Sequence, residues 1–316
     1  MKKENLKILF LGGGRRVSLA ELLMKSGESI GCNVEIVSYE LIEEVPISLV
    51  GKVVKGLPFN NPDVVEDILN VVKKNEIDII LPFVNGAIEI ASVCKQRMPE
   101  LFVPVTDFDI ASQLFDKVEA AAVFKEAGLP IPRTYSVLSA KMPAIAKPRK
   151  GRSSRGIQIF HNMEDFMHLE DIKNYLVQEY IENSKEYTVD CYIDMQGRIL
   201  TTVPRERLEI MGGESNRTRT CHNEIIEKLS REVIEKFSLR GPVNLQFIHD
   251  LEADRYLLME VNPRLAGGVI CSISAGAPIT DYILKEALGM ELEPCDNWAS
   301  DTLMARYFKE AIFFNK

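Results

Sequence analysis

The sequence predicts an α/β unit built on a doubly wound parallel sheet, followed by an α+β region. Three observations carry this reading. Short apolar runs alternate with helix-period segments over residues 1–108, glycine loops separate strand-like runs after residue 128, and two alternating strands flank residue 253.

The first apolar run, residues 6–11, ends in Gly12, Gly13 and Gly14, and a helix is expected over 16–30. A strand over 34–38, a helix over 62–75, a strand over 77–81, a helix over 87–98 and a strand over 101–104 continue a βαβ series, which closes into a parallel sheet. The three glycines stand where a strand turns into a helix, a place where backbone N–H groups can hold an anion. As a dinucleotide fingerprint the string is incomplete, because Val17 stands where a small third residue is required. With Arg15 and Arg16 alongside, the turn suits a substrate carboxylate or phosphate, a cofactor, or no ligand at all.

A helix over 115–127 comes next. Gly128 stops it, and the two prolines of GLPIP set an extended segment. Beyond this point strands and glycine loops dominate.

The net charge of −8 argues against a general nucleic-acid surface, which needs a basic excess. Residues 6–11 are too short for a signal segment, and no stretch reaches the roughly 18 to 20 apolar residues of a membrane span. A cytoplasmic protein without nucleic-acid or membrane partners is expected. Six cysteines without a CxxC pair fit reduced thiols, and Cys221 next to His222 is read as structural, since chain neighbours rarely face each other.

Four strings carry chemistry. In AIAKPRKGRSSRGIQIF an apolar strand reaches Ala146, Lys147 follows, and a loop bounded by Gly151 and Gly156 leads into a second strand from Ile157. A strand, loop, strand unit is not a Walker motif. Glycines let N–H groups approach phosphates, Ser153 and Ser154 add hydroxyl donors, and five cations lie between Lys147 and Arg155. The unit reads as a flap over a triphosphate, or as an exposed basic hairpin.

In LVQEYIENSKEYTVDCYI, alternation puts Glu186, Thr188 and Asp190 on one face and Tyr187, Val189 and Cys191 on the other. Glu186 suits the hydroxyls of a ribose, and the backbone of Glu179 and Ile181 suits an adenine edge.

In GPVNLQFIHDLEADRYLLMEVNPRLAGG, a hairpin symmetric about Ala253 sets Gln246 opposite Glu260 and Asn244 opposite Asn262. Val243, Leu245, Phe247, Leu257, Met259 and Val261 then share the apolar face. The polar face gathers oxygen donors of the kind Mg²⁺ accepts together with nucleotide phosphates, and Arg264 adds a planar cation for a phosphate in transfer. Finally, VPRERLEIMGGESNRTRT is read as a glycine loop carrying Arg205, Arg207, Arg217 and Arg219. It would close on an anionic co-substrate, with Arg205 at a strand end, or stay a solvated loop.

The first three of these strings, with FDKVEAAAVFKEAGLPIPRTY ahead of them, resemble the ATP-grasp superfamily, in the subset similar to the carbamoyl-phosphate synthetase large chain and to ATP-dependent carboxylate-amine ligases. The resemblance spans about residues 115 to 270. It implies a pre-ATP-grasp Rossmann-like domain over 1–108, an ATP-grasp small lobe with a glycine-rich flap over 109–180, and a large lobe with the Mg/ATP site over 181–316. It implies that Lys117 and Lys147 contact ATP phosphates under the flap of Gly151, Ser153, Ser154 and Gly156. Glu179 and Ile181 would read adenine and Glu186 would bind ribose. Gln246, Glu260 and Asn262 would ligand Mg²⁺, or Mn²⁺ in its place, and Arg264 would stabilise the transferred group.

The implied activity is an ADP-forming ligase that activates a carboxylate as an acyl phosphate for attack by an amine. Alternatives are carbamoyl-phosphate synthetase-like activation of bicarbonate and a regulatory protein that binds ATP without turnover. An NAD-dependent enzyme comes last. Homodimerisation through the N-terminal domain is expected by analogy.

Overall fold

The computed structural model describes residues 3–136, 139–151 and 155–314. Strands β1 (Asn5–Leu11), β2 (Asn33–Glu40), β3 (Lys52–Lys55) and β4 (Ile79–Pro82) form a parallel sheet in the order β3-β2-β1-β4. Helix α1 (Val17–Ser29) joins β1 to β2, α2 (Val64–Asn75) joins β3 to β4, and α3 (Ala87–Arg97) follows β4. The central strand β1 is apolar on both sides. Leu6, Ile8 and Phe10 pack with α1 in one core, and Leu9 and Leu11 pack with α2 and α3 in another, the double winding that the βαβ pattern predicts.

The strand expected over 101–104 is reduced to a single parallel bridge between Ile79 and Phe102. Pro104 has no N–H with which to extend the pairing. Strand β3 was not anticipated, because its two valines lie between lysines and give no apolar run.

The first core is not confined to the N-terminal unit. Tyr192, Leu200, Tyr282, Ile283 and Trp298 belong to it, and Ser26 of α1 hydrogen-bonds Thr280 across 2.8 Å. Residues 1–108 therefore do not close this core by themselves.

The helix expected over 115–127 is α5 (Lys117–Glu126), and a helix that was not expected, α4 (Phe108–Phe115), precedes it. Asp116 divides them in extended conformation, and its carboxylate accepts the N–H groups of Val118 at 3.0 Å and Glu119 at 3.3 Å, capping α5. At the other end Gly128 takes φ 72° and the Leu129 N–H returns to the Phe124 carbonyl, a helix stop that a residue with Cβ resists.

A small antiparallel sheet follows, ordered β6-β5-β7, from β5 (Ala144–Pro148), β6 (Gln158–Phe160) and β7 (Tyr175–Glu179), with α6 (Met163–Met167) packed on it through Phe166. The larger antiparallel sheet is ordered β12-β11-β8-β9-β10-β13. It comprises β8 (Ser184–Ile193), β9 (Ile199–Met211), β10 (Glu214–Thr220), β11 (Gly241–Asp250), β12 (Arg255–Asn262) and β13 (Leu303–Ala305). Helices α7 (Glu224–Lys236), α8 (Val269–Ser274) and α9 (Ile279–Ala287) complete the chain. The arginine-rich stretch read as a loop is the β9–β10 hairpin, turning at Gly212 and Gly213.

One face of the large sheet is apolar. Tyr187, Val189, Cys191, Val243, Leu245 and Phe247 pack with Phe124 of α5 and Ile226 and Val233 of α7. The register at the site end of the hairpin is the expected one: Gln246 lies opposite Glu260, and Asn244 opposite Asn262. Nearer the turn it differs, since Phe247 pairs with Leu258 and Met259 is bulged out. Leu258 and Val261 therefore enter this core; Leu257 is buried as expected but outside this cluster, and Met259, also expected there, is only partly buried.

Candidate functional site

The opposite face of the large sheet carries the polar side chains. Glu186, Thr188 and Asp190 of β8 stand beside Gln246 and Asn244 of β11, which stand beside Glu260 and Asn262 of β12. The capped start of α5 delivers Lys117 to this face. Its Nζ donates to the Gly151 carbonyl at 3.0 Å and lies 3.8 Å from a Glu260 oxygen.

Lys147, on β5, donates to Gln178 Oε1 at 3.2 Å. Burial holds its ammonium below the ordinary lysine value. Glu260 and Glu186 pull it back up, and the neighbouring Lys117 pushes it down. Two lysines and two carboxylates thus share one electrostatic neighbourhood between the small and large sheets. Between these groups lies only a small void of about 10 Å³, lined by Lys117, Gln178, Met259 and Glu260 on one side and by Phe124, Ile131 and Leu176 on the other.

Glu186 pairs with Arg207 at 2.9 Å, and the same guanidinium donates to Gln246 Oε1 at 3.3 Å and to the Gly213 carbonyl at 2.8 Å. Arg207 Nε is buried without a partner, a donor that a ligand oxygen would satisfy. Glu179 accepts the Arg133 N–H at 2.9 Å and pairs with Arg255, while its own N–H is used on the Arg133 carbonyl. Ile181 lies just beyond β7.

Arg264 follows the β12 strand directly. It donates to the Leu265 carbonyl at 3.2 Å, and its Nε is also buried without a partner. Burial lowers its pKa, as does Arg16 nearby, and Glu260 and Glu214 oppose them. Among the described residues no three His, Cys, Asp or Glu side chains gather to hold a metal unaided. Gln246 and Glu260 are paired across β11 and β12, and Asn244 and Asn262 likewise, so amide and carboxylate side chains adjoin on this face.

Several expectations need correction. Arg205 sits inside β9 and not at a strand end, and it is fully buried. Its guanidinium donates to Asp190 at 2.8 Å, Ser272 at 3.2 Å and Thr218 at 3.0 Å, so it braces the sheet. Asn244 is likewise committed, its amide donating to Thr188 at 2.6 Å and to Asp190 at 3.1 Å. Of the flap cations, Arg149 turns back to pair with Asp116 and with Glu119. Gly151 and Gly156 border the loop, with Gly156 at φ 74°, and Ser153 and Ser154 lie outside the described residues.

The glycine turn after β1 holds an anion of its own chain. The Glu40 carboxylate lies against Gly13 and Gly14 and accepts the Ser38 hydroxyl at 2.6 Å. Burial pushes its pKa up, and the Ser38 hydroxyl and the two glycine N–H groups draw it down. Cys221 is no nucleophile: burial raises its thiol to about 11, and His222 is stacked on Trp298 with ring centroids 4.0 Å apart.

Sequence reasoning gave the co-substrate role to a loop carrying Arg205, Arg207, Arg217 and Arg219 and singled out Arg205 as the most rigid; Arg207 is the one that contacts Glu186 and Gln246. Strand alternation through PRERLEI would have set Arg205 and Arg207 on one face, had the stretch been read as a strand.

A family model described as "ATP-grasp in the biosynthetic pathway with Ter operon" matches residues 171–308. The carbamoyl phosphate synthase large chain, C-terminal section, of Methanopyrus kandleri is 24% identical over 258 residues, covering 73% of this chain and 48% of the relative. The large chain of Clostridium beijerinckii is 26% identical over 257 residues, covering 72% of this chain and 24% of the relative. The chain therefore spans half or less of the length of these curated relatives.

Among solved structures, the biotin carboxylase domain of Hydrogenobacter thermophilus 2-oxoglutarate carboxylase, in complex with MgADP, ADP and bicarbonate, superposes with a TM-score of 0.74 at 17% identity. It covers 93% of this chain and 72% of the other. N5-carboxyaminoimidazole synthetase from Staphylococcus aureus, complexed with ADP, gives a TM-score of 0.74 at 16% identity, over 92% and 79% of the two chains. These likenesses show a shared fold.

Proposed function

With the ATP-grasp fold as premise, we propose that this protein is an ADP-forming ligase that activates a carboxylate as an acyl phosphate for attack by an amine. The approach of Lys117 to Glu260, 3.8 Å, carries the reading. It sets the lysine at a helix start against the carboxylate of the hairpin, with Lys147 held in the same neighbourhood. We divide the chain into an N-terminal unit over 1–108, a flap lobe over 109–180 and a large lobe over 181–316.

In this reading the purine edge meets the Glu179 carbonyl and the Ile181 N–H. Glu186 meets the ribose, and Lys117 and Lys147 meet the phosphates. Mg²⁺ would be held by Gln246, Glu260 and Asn262 and, when bound, would neutralise charge on the phosphate oxygens. A substrate carboxylate oxygen attacks the γ-phosphorus, and the bond to ADP breaks. Arg264 takes up the charge on the group in transfer. The amine then attacks the acyl carbon, phosphate leaves, and the amine proton passes to phosphate or water. Positioning and electrostatics suffice, without a protein nucleophile.

A second reading, activation of bicarbonate, is favoured by the carbamoyl phosphate synthase relatives. An ADP-release screen over carboxylate and amine pairs separates the two: release with bicarbonate alone selects the second, and dependence on an organic acid selects the first. Glu260→Gln and Lys147→Ala should each lower ADP release by at least about a hundredfold. Full turnover in either variant would rule out this site.

A further inference from the structure

Next to Arg264 lies a cluster that the ligase chemistry does not use. Glu214, the first residue of β10, pairs with Arg16 at 3.5 Å and with Arg306 at 2.8 Å. Arg16 comes from the turn after β1 and Arg306 from the chain after β13, so three distant segments meet here. They meet over Gly267. A Cβ at that position would stand 2.5 Å from a Glu214 oxygen, 2.7 Å from Arg306 Nη2 and 2.8 Å from Arg16 Nη1. A side chain there would make these charged ends shift.

The charges do not balance. Arg16, Arg264 and Arg306 contribute three positive charges, and Glu214 returns one. Glu260, the other carboxylate that acts on Arg264, is assigned above to the metal. Arg16 is largely buried, with 17% of its side chain exposed, and its guanidinium carbon lies 5.7 Å from the centre of the Phe83 ring, so it is held in place and not free in solvent. Burial of Glu214 would raise its pKa, and Arg16 and Arg306 more than offset this, keeping it ionised and already shared between two guanidiniums. Arg264 keeps a buried Nε without a partner. A partly buried excess of guanidinium charge with an unused donor calls for an external anion.

Resting on the ligase reading, we propose that Arg16 and Arg306 form a subsite for a second anionic group of the substrate acid, so that the acid is at least a dianion. Arg264 faces the reacting carboxylate, and the second group, a carboxylate or a phosphate, lies against Arg16 and Arg306. The N-terminal unit then acts in specificity, supplying Arg16 to a site otherwise built from the large sheet.

The test is calorimetric titration of the full chain with succinate, glutarate, phosphoglycolate and butyrate, for the wild type, Arg306→Gln and Arg16→Gln. At least one dianion should bind about tenfold tighter than butyrate, and each variant should lose about tenfold for that dianion while butyrate binding stays unchanged. The two dicarboxylates and the phosphate compound identify which second group is taken. If Arg16→Gln fails to fold, Arg306→Gln, at the half-exposed edge, still decides the matter. Equal binding of dianions and butyrate, or equal loss of both in Arg306→Gln, would overturn the subsite. ADP release with the same acids separates this from the ligase reading. A dianion that binds through Arg306 yet yields no ADP keeps the subsite and removes the ligase. ADP release from butyrate as efficient as from the dianions, and untouched by Arg306→Gln, does the reverse.

Discussion

At the scale of single residues, Arg205 and Arg207 show how two positions on one strand face acquire different work. Arg207 reaches Glu186 and Gln246, and Arg205 is sealed against Asp190. Removing one member of a buried pair strands the other. Arg205→Leu should therefore cost about 3–5 kcal/mol in urea denaturation, and the double variant Asp190→Leu/Arg205→Leu should be less damaging than the sum of the two single changes. Unchanged stability with lost ADP release would instead make Arg205 a catalytic residue. The sequence displays both arginines but not their partners, since Asp190 belongs to another strand and its nearness depends on sheet order. Glu186, Gln246, Glu260 and Asn262 were legible because strand alternation and one hairpin suffice to gather them.

At the scale of elements, the break at Asp116 matters most. It caps α5, orients Lys117 toward Glu260 and anchors Arg149. Asp116→Ala should cost about 1–2 kcal/mol in thermal or urea unfolding and raise KM for ATP severalfold. Asp116→Asn, which can still cap, should fall between Ala and wild type. An unaltered KM for ATP in the alanine variant would separate Lys117 from the cap. The α5 helix was legible to within two residues, but its cap was not, because a lone aspartate at residue 116 leaves the apolar period intact. The β11–β12 register was legible from the polar LEAD turn. The bulge was not, because Leu257, Leu258 and Met259 are all apolar and give alternation nothing to fix on. The β9–β10 hairpin was masked by its arginines.

For the whole molecule, the decisive feature is the core shared by β1, α1, α9 and Trp298. A common core joins the N-terminal unit and the large lobe in one cooperative structure. Calorimetry should show one unfolding transition. Ile283→Ala, in a fully buried position of α9, should destabilise that transition by about 2–5 kcal/mol. A separate early melting of residues 1–108, with the remainder unaffected, would contradict it. The parallel sheet was legible from βαβ alternation, but the shared core was not: α9 lies some 250 residues from α1 in sequence and meets it only through tertiary packing.

The Met259 bulge also separates the two ends of the hairpin in a way that bears on how such a chain can change. Slipping β12 by one residue would exchange Glu260 for Val261 on the polar face. Because Met259 already absorbs one unpaired residue between the 251–254 turn and the Gln246–Glu260 pair, a residue gained or lost at the tip can be taken up there. The bulge thus lets the pairs nearer the turn follow one register and the Gln246–Glu260 pair another.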